Sequence, residues 1–278
     1  VARILAVVFD WAGTTVDFGS RAPMGAFVEA FRRFGVTITV TEARRPMGLP
    51  KGDHIAALLG DSEIAARWRL AHGRMPVQRD VEALYDVFLP LNVAVVDAYA
   101  ELIPGVASLV EELRRRGIKI GSTTGYTREI MERLLPLAAR QGYAPDNLVC
   151  AGDLAEGRPS PLMMYRTFAD LGVYPPSSVV KVDDTAPGIA EGIAAGSWTI
   201  GIAMTGNLCG HSHEELAALS PGEQSSIRAK AVRVLRRAGA HVVIDSVADL
   251  LPVLDRLERD GVLFEEHDPS SDESLGTQ

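Results

Sequence analysis

The chain has 278 residues, 47% of them hydrophobic, and a formal net charge of −8 at pH 7. It can bury a substantial core, in one large domain or in a domain that carries an inserted second one. Its last fourteen residues hold five acids and no Lys or Arg, so the remainder is only mildly acidic and offers nothing that invites nucleic acid or an anionic membrane.

In chain order, the first predicted element is an apolar run over residues 4–9 that stops at Asp10 and turns at once through Ala12 and Gly13. The run has no polar alternation, as suits a parallel strand covered on both faces, so Asp10 is placed at the carboxyl tip of a core strand, where open α/β sheets keep their chemistry. Residues 20–100 break the strand rhythm. GAFVEAFRRFG, TEARRPMG, DHIAALLG, SEIAARWRLAHG and the run from Val77 to Tyr99 are all helical in pattern, and Pro90 is expected to kink or split the longest of them. From about residue 105, helix-like stretches end at Gly117, Gly142, Gly172, Gly196 and Gly239, each suited to a left-handed cap. Strand candidates IKIGST, LVC, VVKVDD, WTIGIA and HVVID alternate with them.

That alternation predicts an α/β fold: a Rossmann-like parallel sheet core with helices on both faces, right-handed crossovers and an inserted all-helical cap domain. The boundaries are 1–19 and 101–264 for the core, 20–100 for the cap and 265–278 for a disordered, solvated acidic tail. The N-terminal apolar run is too short for a signal peptide, and no apolar stretch approaches the ~20 residues that span a bilayer, so the expectation is a soluble cytoplasmic protein. Cys150 and Cys209 lack metal-type spacing and read as free buried thiols of a reducing compartment. The histidines of HSH at 211–213 lie in a Gly-rich loop and receive no role.

Four further stretches can join Asp10 at the strand tips. In VDDTAPG, adjacent acids at a strand end can hold Mg²⁺, with Asp184 the ligand and Asp183 a supporting or second contact; alone, the pair also fits a solvated turn. Thr123 and Thr124, where a strand becomes a turn, can cradle phosphoryl oxygens, although threonine is common in such turns. Arg158, before Pro159, can pair with a phosphoryl oxygen or with Asp10, against a background of 24 arginines that makes a surface role the default. Only four lysines accompany those arginines, so Lys51 in the loop PMGLPKGDH asks for a reason. Arginine cannot lose its proton or form an imine, whereas a desolvated lysine near other cations does both. His54, one helical turn on, is close enough to assist proton movements. Lys119 and Lys181 on strands and Lys230 on a charged helix read as incidental.

Taken together, FDWAGTTVD, RRPMGLPKGDH, GIKIGSTTGYTRE, GRPSP and VKVDDTAPG resemble the phosphonoacetaldehyde hydrolases (phosphonatases) of the haloacid dehalogenase superfamily, over residues 7 to about 244. The resemblance implies Asp10 as nucleophile, Lys51 as the Schiff-base lysine, and Mg²⁺ held by Asp10, the Ala12 backbone carbonyl and Asp184. It places Met47, His54, Thr124, Tyr126 and Arg158 around a small phosphonate substrate, in 2-aminoethylphosphonate degradation, and implies a homodimer formed through the insertion. The match is specific, because most members of the superfamily have a second aspartate two residues after the nucleophile, where this chain has Ala12. Two departures stand out: family members often carry another acid four residues beyond the metal aspartate, where this chain has Gly188, so that either Asp183 compensates or the metal keeps more water there. Superfamily members also usually carry Lys at the place of Arg158, leaving Lys51 as the one lysine expected at the site.

Ala12 also follows from chemistry. A phosphatase must protonate a departing alkoxide, which the second aspartate does; C–P cleavage releases carbon, whose charge needs an electron sink such as an iminium on Lys51. The competing readings are a phosphatase or phosphomutase of the same superfamily, a dehalogenase that needs no metal, and a catalytically dead relative that binds a phosphorylated metabolite.

Overall fold

The computed structural model of the chain describes residues 3–260. The predicted tail at 265–278 lies outside them. The chain opens with strand β1 (Ala6–Phe9) and passes into five helices: α1 (Ala22–Arg33), α2 (Val40–Arg44), α3 (Lys51–Gly60), α4 (Ser62–His72) and α5 (Gln78–Val96). Strand and helix then alternate through α6 (Val106–Arg115), β2 (Lys119–Thr124), α7 (Arg128–Arg140), β3 (Val149–Cys150), α8 (Leu162–Leu171), β4 (Val179–Asp183), α9 (Ala186–Ala194) and β5 (Trp198–Ile202). Helices α10 (His213–Ala218) and α11 (Pro221–Arg237), strand β6 (Val242–Ile244) and α12 (Leu250–Asp260) complete the described chain.

The six strands form one parallel sheet in the order β3-β2-β1-β4-β5-β6. The sheet grows outward from β1 in both directions, so the crevice at the carboxyl ends of β1 and β4 is its topological switch point, where such sheets bind ligands. Register fixes what meets there. Phe9 pairs with Ser122 on one side and Val182 on the other, which sets Asp10 level with Thr123 and Asp183.

The five glycines expected to stop helices all adopt positive φ. Both cysteines are buried and unpaired, and no helix among the described residues is long and apolar enough to cross a membrane.

The helical insertion has an apolar cluster of its own, built from residues such as Phe27, Phe31, Ile55, Trp68, Leu84 and Phe88, separate from the cluster over the sheet that holds Val7, Phe9, Trp11 and Ile120. Helix α5 joins the two: Leu84 and Phe88 belong to the insertion's cluster, while Leu89, Val93 and Val96 pack against the sheet's. That double anchorage explains why Pro90 does not split it. The proline removes one backbone hydrogen bond, and burial on both sides of it holds the helix continuous.

The insertion is also fastened to the core by Arg44 of α2. Its guanidinium donates to the carbonyl oxygens of Gly19 (2.8 Å), Ser20 (3.1 Å), Asn207 (3.3 Å) and Gly210 (3.2 Å). A cation satisfied mainly by backbone carbonyls acts here as a peg between the chain entering the insertion and the loop after β5.

Candidate active site

Asp10 follows β1 and Asp183 and Asp184 end β4, so three buried carboxylates meet at the switch point, with one oxygen of each within 4.8 Å of the others. Their surroundings differ. Asp183 lies 3.1 Å from Lys181 Nζ and 3.4 Å from Arg158 Nη2, and it accepts hydrogen bonds from Thr185 N (3.0 Å) and Oγ1 (2.7 Å). Burial opposes its charge, but Arg158, Lys181 and these bonds outweigh burial and hold its acidity stronger than usual. Asp184 accepts from Thr14 Oγ1 (3.0 Å) and Asn207 N (2.7 Å) and forms no ion pair among the described residues. Desolvation, then the charges of Asp10 and Asp183, push its carboxyl well up. Asp10 is likewise raised, by burial and by Asp183, against the pull of Arg158, whose Nη1 is 2.9 Å away.

Asp184, without an ion pair, and Asp10, whose burial outweighs its one partner Arg158, are therefore buried acids with charge left to offset, in a pocket whose ligand atoms are all hard oxygens. That donor set fits Mg²⁺, which binds few carboxylates and keeps water and substrate oxygens. At position 188 a side chain is excluded: a Cβ there would lie 2.0–2.3 Å from both Asp183 carboxylate oxygens, so the Asp183 carboxylate fills that volume.

Lys51 arrives from the insertion. It begins α3, directly after Pro50, and its loop rests on the core because Gly48, at φ 96°, has no side chain; a Cβ there would meet Thr185 Oγ1 at 2.3 Å. A small cavity is lined by Lys51 and Met47 from the insertion and by Asp10, Ala12, Thr124, Tyr126 and Arg158 from the core. Lys51 is 4% exposed, 4.0 Å from Met47 Sδ and 5.0 Å from the centre of the Tyr126 ring. Burial depresses its pKa to about 8, with Arg158 adding to the effect and Asp10 opposing it. The positive end of the α3 dipole at its first residue acts in the same direction.

His54 sits behind Lys51 rather than in the cavity wall. Its ring stacks on Phe27 with 4.0 Å between centroids, and Nε2 lies 2.8 Å from the Ala43 carbonyl oxygen. A carbonyl can only accept, so Nε2 carries the proton and Nδ1, which has no protein partner, carries the lone pair. Burial and the Lys51 charge lower its pKa to about 3, so the ring is neutral at ordinary pH.

Two expectations are corrected. Thr124 lines the cavity and its hydroxyl accepts from Tyr126 N at 3.1 Å, but Thr123 turns to the other side of the strand and is no cradle for substrate. Its hydroxyl donates to Glu191 Oε2 (2.8 Å) and accepts from Lys181 Nζ (2.8 Å) and Arg158 Nη2 (3.1 Å). Lys181 is not incidental, and Lys51 is not the one lysine at the site: Lys181 is 0% exposed and ion-paired to Asp183 and to Glu191. Thr14, Asn207 and Glu191 also join the site without a signal of their own in the sequence; Glu191 sits mid-helix in AEGIAAG, where its letter alone says nothing.

Residues 4–196 match the family model of haloacid dehalogenase-like hydrolases. The phosphonoacetaldehyde hydrolase of Paraburkholderia xenovorans (strain LB400) is 53% identical over 256 residues, covering 92% of this chain and 96% of that one. The protein of the same name from Bordetella pertussis (strain Tohama I) is 46% identical, covering 92% and 93%. Among solved structures, a phosphonoacetaldehyde hydrolase-like protein from Oleispira antarctica superposes with a TM-score of 0.90 at 44% identity, covering 92% and 93%.

Proposed function

Because the chain belongs to the haloacid dehalogenase-like hydrolases and, among them, to the phosphonoacetaldehyde hydrolases, we propose that it hydrolyses the C–P bond of phosphonoacetaldehyde to acetaldehyde and inorganic phosphate. The observation that carries this reading is a buried lysine of depressed pKa in the same cavity as a carboxylate nucleophile, with alanine where a phosphatase keeps its general acid. Supply of the substrate from 2-aminoethylphosphonate, action in the cytoplasm and assembly as a homodimer through the insertion belong to the same proposal. The exposed Leu70, Met75 and Val77 on and after α4 suit such an interface.

The residues divide the work. The neutral Lys51 amine adds to the aldehyde and loses water to form an imine, which is protonated to an iminium, with solvent in the cavity taking and returning the protons. Asp10 attacks phosphorus in line. The C–P electron pair passes into the iminium, giving an enamine on Lys51 and an aspartyl phosphate on Asp10. Arg158 offsets charge on the phosphoryl oxygens. Protonation of the enamine carbon and hydrolysis of the resulting imine release acetaldehyde, and water cleaves the aspartyl phosphate. Asp10, the Ala12 carbonyl and Asp184 would hold Mg²⁺, which when bound supplies Lewis-acid stabilisation of phosphoryl charge. The insertion loop, seated on the core through Gly48, keeps bulk water from the imine.

The direct test is to assay acetaldehyde and phosphate together. Stoichiometric release from phosphonoacetaldehyde, with a simple phosphate monoester left intact, is the expected result; the opposite preference identifies a phosphatase. EDTA is expected to abolish turnover and Mg²⁺ to restore it, and turnover indifferent to chelation contradicts the assignment of Asp10 and Asp184 as ligands.

Lys51 also sets a pH dependence. Protonated below its pKa of about 8, it is not a nucleophile, so kcat/KM should rise with pH and level off above about 8. A profile flat from pH 6 to 9, or one still climbing above pH 10 as for a solvent-exposed lysine, contradicts the buried environment of Lys51.

A further inference from the structure

Beneath the cavity floor lies a layer of charge that the reaction above does not use. Lys181 on β4 and Glu191 on α9 are both fully buried. Glu191 Oε2 gathers three donors: Arg158 Nε at 3.1 Å, Thr123 Oγ1 at 2.8 Å and, as an ion pair, Lys181 Nζ at 3.4 Å. Lys181 also reaches Thr123 Oγ1 at 2.8 Å and Asp183 at 3.1 Å. Two cations, Arg158 and Lys181, thus face two anions, Asp183 and Glu191.

An arginine fork pairs readily with any carboxylate that presents itself, and three crowd round Arg158. The observed arrangement divides its edges. Nε is taken by Glu191 and Nη2 by the Thr123 carbonyl oxygen at 2.6 Å, while Nη1 meets Asp10 at 2.9 Å on the cavity side. Lys181 neutralises Asp183, which would otherwise draw the guanidinium away from Asp10.

We propose that Glu191 and Lys181 are positioning residues for phosphoryl transfer, holding Arg158 Nη1 at Asp10 and toward the phosphoryl oxygens while taking no part in imine formation. The assignment rests on the two-stage reading above, because only there can the two stages be separated. Removing Glu191 frees the guanidinium to turn, and a misplacement of about 1 Å costs on the order of 100-fold in rate.

The experiment compares Glu191→Gln with the wild-type enzyme, each with phosphonoacetaldehyde and Mg²⁺. Phosphate release is followed in one arm, and borohydride-trapped adduct on Lys51 in the other. The expected result is phosphate release slowed about 100-fold through kcat, with KM little changed and adduct yield as in the wild type. Phosphate release at the wild-type rate overturns the assignment. Parallel loss of adduct and phosphate release also overturns it, since a general structural role does that. A wild-type enzyme that forms no adduct overturns the imine reading, and this assignment with it. If Glu191→Gln does not fold because a cation is left unpaired, the Lys181→Met/Glu191→Met double variant removes one charge of each sign and carries the same test with the same outcomes.

Discussion

Lys51→Arg is expected to slow phosphate release from phosphonoacetaldehyde by about 10⁴-fold or more while leaving the fold intact. The substitution keeps the positive charge and most of the apolar stem, so the packing over Tyr126 and beside Met47 largely survives. It removes the one property for which the site is built. Burial lowers the Lys51 pKa to about 8 and so supplies neutral amine near physiological pH, whereas a guanidinium neither loses its proton nor condenses with an aldehyde. Without the iminium, the electrons of the C–P bond have no acceptor, and Ala12 offers no acid in its place. A rate within about tenfold of wild type would show that the leaving group departs without Lys51.

Asp10→Asn should abolish phosphate release, with a loss on the order of 10⁵-fold or greater, since an amide does not attack phosphorus at a useful rate. The effect is specific to the second stage: Lys51 remains, so the imine still forms and accumulates. Stability should hold or rise in the absence of metal, because Asp10 is held above the usual carboxylate range by burial and by Asp183, and the neutral amide removes that repulsion. Substantial phosphate release from Asp10→Asn would remove it as the nucleophile; loss of both phosphate and imine would mean that the substitution had damaged the cavity as a whole.

The sheet was readable because its punctuation is local. An apolar run without alternation ending in an acid, and glycines closing five of the helices between the strands, are written within a few residues of one another. Lys51 stood out for a different local reason, its rarity among arginines. What escaped is what depends on pairing across the sheet. In a strand buried on both faces every residue looks alike, so Lys181 gave no sign that its ammonium is matched by Asp183 two residues on and by Glu191 on the next helix. Thr123 and Thr124 cannot both face substrate, because successive strand residues face opposite sides and only Thr124 lines the cavity. Asn207 and Thr14, which hold Asp184, come from loops whose approach to β4 only the folded chain reveals. Gly188 belongs to the same class. An acid missing from the sequence became, in the fold, the space that the Asp183 carboxylate occupies.

In the proposed reaction, carbon leaves phosphorus only after Lys51 has bound it. Borohydride added during turnover of phosphonoacetaldehyde, followed by peptide mass mapping, tests this most directly. A stable reduced adduct on Lys51 and a progressive loss of activity that depends on substrate are the expected result. An unmodified Lys51 under conditions where phosphate is being released would contradict it.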